Sequence, residues 1–271
     1  PIRQDGAKAR SHGGSTMLIN GTRCSGMPYF YQSNPWQCIL ARKDMVGKFI
    51  PNLDVVNADN DACKKSYDEY LKNNKLDASK LTEEDIIRMD NALGGSTKEL
   101  VSVAGDDRAL LYGGFAGGVR RLSPDKTIKN FFDGLSIVKW SNVRTDGAAA
   151  HGDNFCDTDI PLFRLAEIYL TRAEALYRLG DKTGALRDIQ KLQGRANRKN
   201  LAQSLDLNYI LDEWCREFYL EGRRRSDLVR FGLFTSSQYL WSFKGGQENG
   251  VGVDSHYNVY PVPANEIAGN A

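Results

Sequence analysis

The sequence lacks any apolar run of about 18 residues, so nothing in it is long and greasy enough to be expected to span a bilayer as a helix. It has little cysteine. Cys24, Cys38, Cys63, Cys156 and Cys215 form no CxxC pair and no spacing of the kind that holds zinc. Scattered reduced thiols are the expected state, with a single Cys24–Cys38 bridge as the alternative. Charge of one sign is also lacking: the net charge is +2 with 26% charged residues, which gives no general attraction to nucleic acid or to an anionic membrane surface. The first residue is Pro1, and no basic or apolar leader follows it. The sequence therefore reads as a mature chain or a piece of a longer one, with any targeting signal outside it.

Phosphate loops are absent too. GGSTK at Gly94 and GGFAGG at Gly113 lack the GxxxxGK[ST] pattern behind an apolar strand and read as turns. DVVNADND, from Asp54 to Asp61, is rich in Asp and Asn but has neither the central Gly nor the closing Glu of a calcium loop. No metal and no cofactor are expected. Glycine, by contrast, is plentiful, with 26 residues, and points to long loops around whatever regular structure forms.

What the sequence does contain is strongest from Asp159 to Asn197. Leu162, Leu165, Ala166, Tyr169, Ala173 and Leu176 recur at steps of three and four, which predicts one buried helical stripe. Arg164, Glu167, Thr171, Glu174 and Arg178 keep the same period and are expected in solvent. Asp159 is expected to cap this helix, Pro161 to sit in its first turn, and Gly180-Asp181 to end it. A second helix follows with Ala185, Leu186, Ile189 and Leu192 on its inner side. Two amphipathic helices joined by so short a turn fold back antiparallel. The small-and-large spacing is similar to one tetratricopeptide repeat. No second copy stands at a period of about 34 residues, and one repeat cannot bury its outer face alone.

Elsewhere the signals are shorter. KDMVGKF (43–49) and residues 61–72 read as short helices, and Thr82 with Asp85 three residues on reads as a capping box. Residues 110–140 alternate enough for short strands, best at Ile137 to Trp140. Asp206 is expected to cap a third strong helix with Leu207, Leu211, Trp214 and Phe218 buried. On it Glu213, Glu217 and Glu221 repel one another unless Arg216 and Arg223 to Arg225 lie beside them, so this helix reads as a structural ion-pair network. Residues 232–258 are loop-rich, bringing Tyr239, Trp241 and Phe243 together. Pro261 and Pro263 then impose an extended path before a terminal turn.

One loop carries aromatics without a regular period: MPYFYQSNPW, with Tyr29, Phe30, Tyr31 and Trp36. Such rings either plug the end of a helical layer or present flat faces to a ligand, since aromatic faces suit sugar rings. Trp36, with Tyr31 and Tyr29, is the expected stacking set.

Three of these pieces, in order, resemble the C-terminal half of the SusD/RagB family. They are Arg164, Ala166, Glu167 and Ala173–Ala175 of the hairpin; Glu213, Glu217, Glu221, Gly222, Arg224, Asp227, Leu228 and Arg230; and the closing YPVPANEIAGN. The chain departs from that pattern at Trp214, Arg225, Gln190 and Gln193. The resemblance implies a mainly α, SusD-like fold: a tetratricopeptide-like hairpin packed with long irregular loops and a few short strands. It implies one domain over 1–271, loop-rich and ligand-binding at 28–158, helical at 159–271. It also implies a non-enzymatic, surface-exposed outer-membrane lipoprotein whose lipid anchor lies outside this chain. Such a protein holds an oligosaccharide or glycopeptide for a SusC-like TonB-dependent transporter. Read without the resemblance, the hairpin also suits a helical-repeat adaptor for proteins or peptides.

Overall fold

A computed structural model of the chain describes residues 39–92, 101–113, 135–137, 139–140 and 161–269. The described residues are mainly α with a few short strands, as expected. Two compact units divide the chain, Pro1–Ile210 and Leu211–Ala271.

In the first unit, β1 (Leu40–Ala41), β2 (Leu111–Gly113) and β3 (Leu135–Ile137) make a small antiparallel sheet with β3 in the centre. Ala41 faces Leu135, and Leu111 faces Ile137. Ala41, Leu111 and Ile137 are buried, so the short strands survive by covering a core. The strand expected at Ile137 to Trp140 ends at Ile137, and β1 was not foreseen, because two residues carry no period. Helix α1 (Lys43–Phe49) forms where a short helix is expected and buries Val46 and Phe49.

Helix α2 runs from Asp54 to Asn74, starting earlier and ending later than the short helix expected at 61–72 and taking in DVVNADND. Asn52 Oδ1 accepts from the Asp54 amide at 3.0 Å and supports that early start. The segment's backbone is helical and has no loop shape to wrap an ion. Helix α3 (Glu83–Ala92) opens with the reciprocal cap: the Asp85 amide donates to Thr82 Oγ1 at 3.2 Å, and the Thr82 amide donates to Asp85 Oδ2 at 3.0 Å. A short helix, α4 (Val101–Ala104), precedes β2.

The hairpin is α5 (Leu165–Arg178) and α6 (Lys182–Arg195). Its first helix starts later than expected. Arg164, in extended conformation, is the N-cap, so Pro161 and Leu162 precede the helix, and Asp159 lies outside the described residues. The buried stripe is accordingly Ala166, Leu170 and Ala173, while Leu162 and Leu165 are exposed. Glu174, expected in solvent, is buried and accepts from Arg178 Nε at 3.0 Å. On α6 Ala185, Ile189 and Leu192 are buried as expected, and Leu186 is half-buried. Alanines at the crossing let the two backbones approach.

The turn between them is built tightly. Gly180 takes φ +93°, a conformation open to glycine without strain. Asp181 caps α6 by accepting from the Gly184 amide at 2.7 Å. A methyl group on Gly184 would stand 2.3 Å from that carboxylate, so cap and glycine require each other. Arg172 and Asp188 then tie helix to helix through two parallel bonds of 2.6 Å.

The chain leaving α6 is stitched back. Gln193, fully buried, accepts from the Ala202 amide and donates to Tyr209 Oη, both at 2.8 Å. Gln190 donates to the Ala202 carbonyl at 2.8 Å. The two glutamines that depart from the family pattern thus hold the 198–206 loop as a pair. Asp106, also buried, accepts from Arg108 (Nε 3.0 Å, Nη2 2.9 Å) and from Arg198 (Nη1 2.9 Å). Backbone bonds from Asp107 to Ala196 and from Lys199 to Gly105 run beside it. This knot joins the segment before β2 to the exit of the hairpin.

Candidate binding surface

Trp36, Tyr31 and Tyr29 lie outside the described residues, as do Cys24 and Cys38. Aromatic and charged groups also meet in the second unit and in α7 (Leu207–Phe218), inside which the unit boundary falls. Asp206 caps α7 by accepting from the Tyr209 amide at 2.6 Å, as expected. Leu211, Trp214 and Phe218 are buried and Leu207 is half-buried. Cys215 is half-buried and not in a disulfide.

The glutamate–arginine stretch is not one continuous helix, which corrects the sequence reading. Leu220 and Gly222 take φ of +58° and +74°, α7 stops at Phe218, and α8 (Arg224–Arg230) starts afresh. The break turns the arginines back onto the first helix. Arg223 lies over the Trp214 ring, 4.2 Å from its centroid, and Arg230 lies 5.6 Å from it. Both reach Asp227, at 3.4 and 2.9 Å. Arg216 closes on buried Glu213 at 2.7 Å. These carboxylates are each met by guanidinium groups, the arrangement expected of an ion-pair network.

Arg224 serves another purpose. It donates to the Leu211 carbonyl at 2.8 Å and to Tyr239 Oη, which in turn donates to Asp212 at 2.9 Å. That chain of bonds anchors the 232–253 loop. Within the loop, Phe234 and Trp241 stack with centroids 6.0 Å apart. The Lys244 ammonium, buried, sits 4.5 Å from the Trp241 centroid. It donates to the carbonyls of Tyr239 at 2.8 Å, Leu233 at 3.3 Å and Ser236. Burial pushes its pKa below the ordinary lysine value. Gly250, at φ +77°, leaves no room for a side chain against the Trp241 carbonyl.

Lys244 is therefore the loop's internal fastener, a role that composition alone could not separate from a surface lysine. Lys244→Met is expected to leave three carbonyls without their donor and to cost about 1–3 kcal/mol of local stability. Amide hydrogen exchange across 233–253 should accelerate while α5 and α6 stay protected; unchanged exchange in the loop would contradict the assignment.

Among the described residues, no cluster of three or more His, Cys, Asp or Glu is arranged to hold a metal ion. No described helix is long and apolar enough to cross a membrane.

Compared with known proteins, residues 4–271 match the family model described as the SusD family. The chain is 51% identical over 271 residues to the starch-binding protein SusD of Bacteroides thetaiotaomicron, an alignment covering all of this chain and 47% of that protein. The chain thus spans about half the length of the curated relative it matches.

Proposed function

The chain belongs to the SusD family, and on that premise we propose that it contributes to non-enzymatic binding of oligosaccharides at the cell surface. The observation that carries this reading is the 51% identity to a starch-binding protein, sustained over the whole chain rather than over one motif. The bound glycan is handed to a SusC-like TonB-dependent transporter in the outer membrane. The protein is held there as a lipoprotein, by an anchor outside this chain.

Trp36, with Tyr31 and Tyr29, is proposed to meet the sugar. A hexose carries C–H groups on its faces and hydroxyls around its edge, so a flat ring gains from the face while neighbouring polar groups take the hydroxyls. The bound acids of α7 and α8 support binding without turnover, because glycoside hydrolysis needs two carboxyl groups free to act across a cleft. Trp36→Ala is expected to weaken maltoheptaose binding by about tenfold, near 1.4 kcal/mol, with little change in melting temperature. Isothermal titration reads the affinity, and an unchanged value would remove Trp36 from the site.

A further inference from the structure

The aromatic rings of the 232–253 loop are half-buried, whereas the segment that follows holds its rings in the open. Residues 254–260 hold His256, Tyr257 and Tyr260 on the surface, the two tyrosines 54% and 76% exposed. Exposed rings on a slack tail would be unremarkable. These are fixed from below.

Arg225 sits over the Tyr260 ring, its guanidinium carbon 3.8 Å from the centroid, and donates to the Tyr257 carbonyl at 2.7 Å. On its other contact, Arg225 rests 4.9 Å from the Phe234 centroid, so the support reaches back to the fastened loop. The Tyr257 ring packs beside His256, centroids 4.0 Å apart. Asp254 Oδ1 holds the turn by accepting from the His256 amide at 2.9 Å and contacting His256 Nδ1 at 2.7 Å. Asn258 donates to Thr235 Oγ1 at 3.2 Å, and the Val253 amide donates to the Thr235 carbonyl at 2.9 Å. Pro261 then restricts the path beyond Tyr260.

The polar atoms around these rings point to a ligand class. Among the described residues, the Tyr257 and Tyr260 hydroxyls, Asp254 Oδ2 and His256 Nε2 take no hydrogen-bond partner. Ring faces held in place, bordered by an acceptor carboxylate, an imidazole nitrogen and two phenols, match the two-sided chemistry of a sugar: C–H groups against the face, hydroxyls against the rim. Because Arg225 and the turn fix the rings beforehand, a ligand loses little side-chain freedom by binding them.

We propose that Asp254, His256, Tyr257 and Tyr260, braced by Arg225, form a second, auxiliary contact surface for neutral oligosaccharide chains, separate in sequence from the Trp36 loop. This rests on the glycan-binding reading above and extends it: one contact takes a short stretch of sugar, and another adds grip on a long chain through effective concentration.

The test uses the full chain and two probes, maltoheptaose in titration and soluble starch in affinity gel electrophoresis. The double variant Tyr257→Ala/Tyr260→Ala is expected to lose about five- to tenfold in starch retardation, with maltoheptaose affinity at the Trp36 site unchanged. Tyr260→Phe keeps the face and should retain starch binding. Arg225→Lys, which keeps charge but loses the planar support, should lose part of it. Equal retardation of wild type and double variant overturns the proposal. A double variant that binds starch normally but loses a protein partner marks the segment as a protein contact instead, which also overturns it. Wild-type protein indifferent to both probes defeats the glycan reading itself. Loss of starch binding in the tyrosine variant with no effect of Trp36→Ala defeats only the assignment of Trp36.

Discussion

Asp106→Asn is expected to lower the stability of the first unit by about 3–5 kcal/mol, although it changes a single oxygen to an amide. The Asp106 side chain is fully buried, and its partners Arg108 and Arg198 are 9% and 14% exposed. An amide satisfies some of the hydrogen bonds but cancels neither charge. Two largely buried guanidinium groups would then lose the negative charge they share. The surface pair Lys65–Glu69 is the control, 4.0 Å apart with both side chains largely exposed, and its removal should move stability by less than about 1 kcal/mol. Urea unfolding, followed by a probe in the first unit, reads both; a shift in midpoint at constant slope isolates the stability change. Burial alone would disfavour the Asp106 carboxylate, but hydrogen bonds and charge from Arg108, with help from Arg198, outweigh it and hold the pKa below the ordinary 3.8. The sign of the pH dependence follows. Stabilisation is complete above about pH 4 and drains away as the pH falls through the lowered folded-state value. The Asn variant should lack that acid-side loss.

Trp214→Ala is expected to cost the second unit a similar amount, about 3–5 kcal/mol, through a different cause. Trp214 is 1% exposed and packs against Phe218 with centroids 5.4 Å apart. It is also the surface on which Arg223 lies, with Arg230 close by. Truncation opens a cavity and removes the ring beneath one arginine. Trp214→Phe retains a flat face in less volume and should recover roughly half of the loss. Thermal unfolding of the three proteins decides the matter; a loss below about 1 kcal/mol for the alanine variant would show that the ring is peripheral to the core.

Trp214 also shows how far the sequence was legible. Its place on a buried stripe was readable from the spacing of Leu207, Leu211, Trp214 and Phe218. That two arginines further along would return to its face was not, because the chain reversal depends on left-handed backbone at Leu220 and Gly222. Gly222 signals such a break weakly, and Leu220 does not signal it at all. The hairpin shows the same division. Ala173, Ala185, Ile189 and Leu192 announced themselves by period, whereas the start of α5 was misjudged because Asp159 makes a plausible cap five residues before Arg164 and Pro161 a plausible first turn four residues before Leu165. The helix expected at 61–72 was likewise started too late: Asp and Asn raise loop propensity locally, yet the 21-residue α2 carries them along from Asp54.

Contacts distant in sequence were hidden throughout. Asp106 and Arg198 stand 92 residues apart, and Arg225 finds the Tyr257 carbonyl 32 residues away. Neither pairing leaves a local trace. Gln190 and Gln193 appeared as mere departures from a family pattern, and their meaning emerged only where both met Ala202. Trp36, Tyr31 and Tyr29 were readable as candidates by residue type and loop context, and their role stands as a proposal.

Titration of the full chain with maltoheptaose, with the sugar recovered and sized afterwards, tests the central claim most directly. Saturable uptake of heat with the heptasaccharide returned intact is the result expected of a binding protein without turnover. Shortened products, or no heat at any sugar concentration, would contradict it.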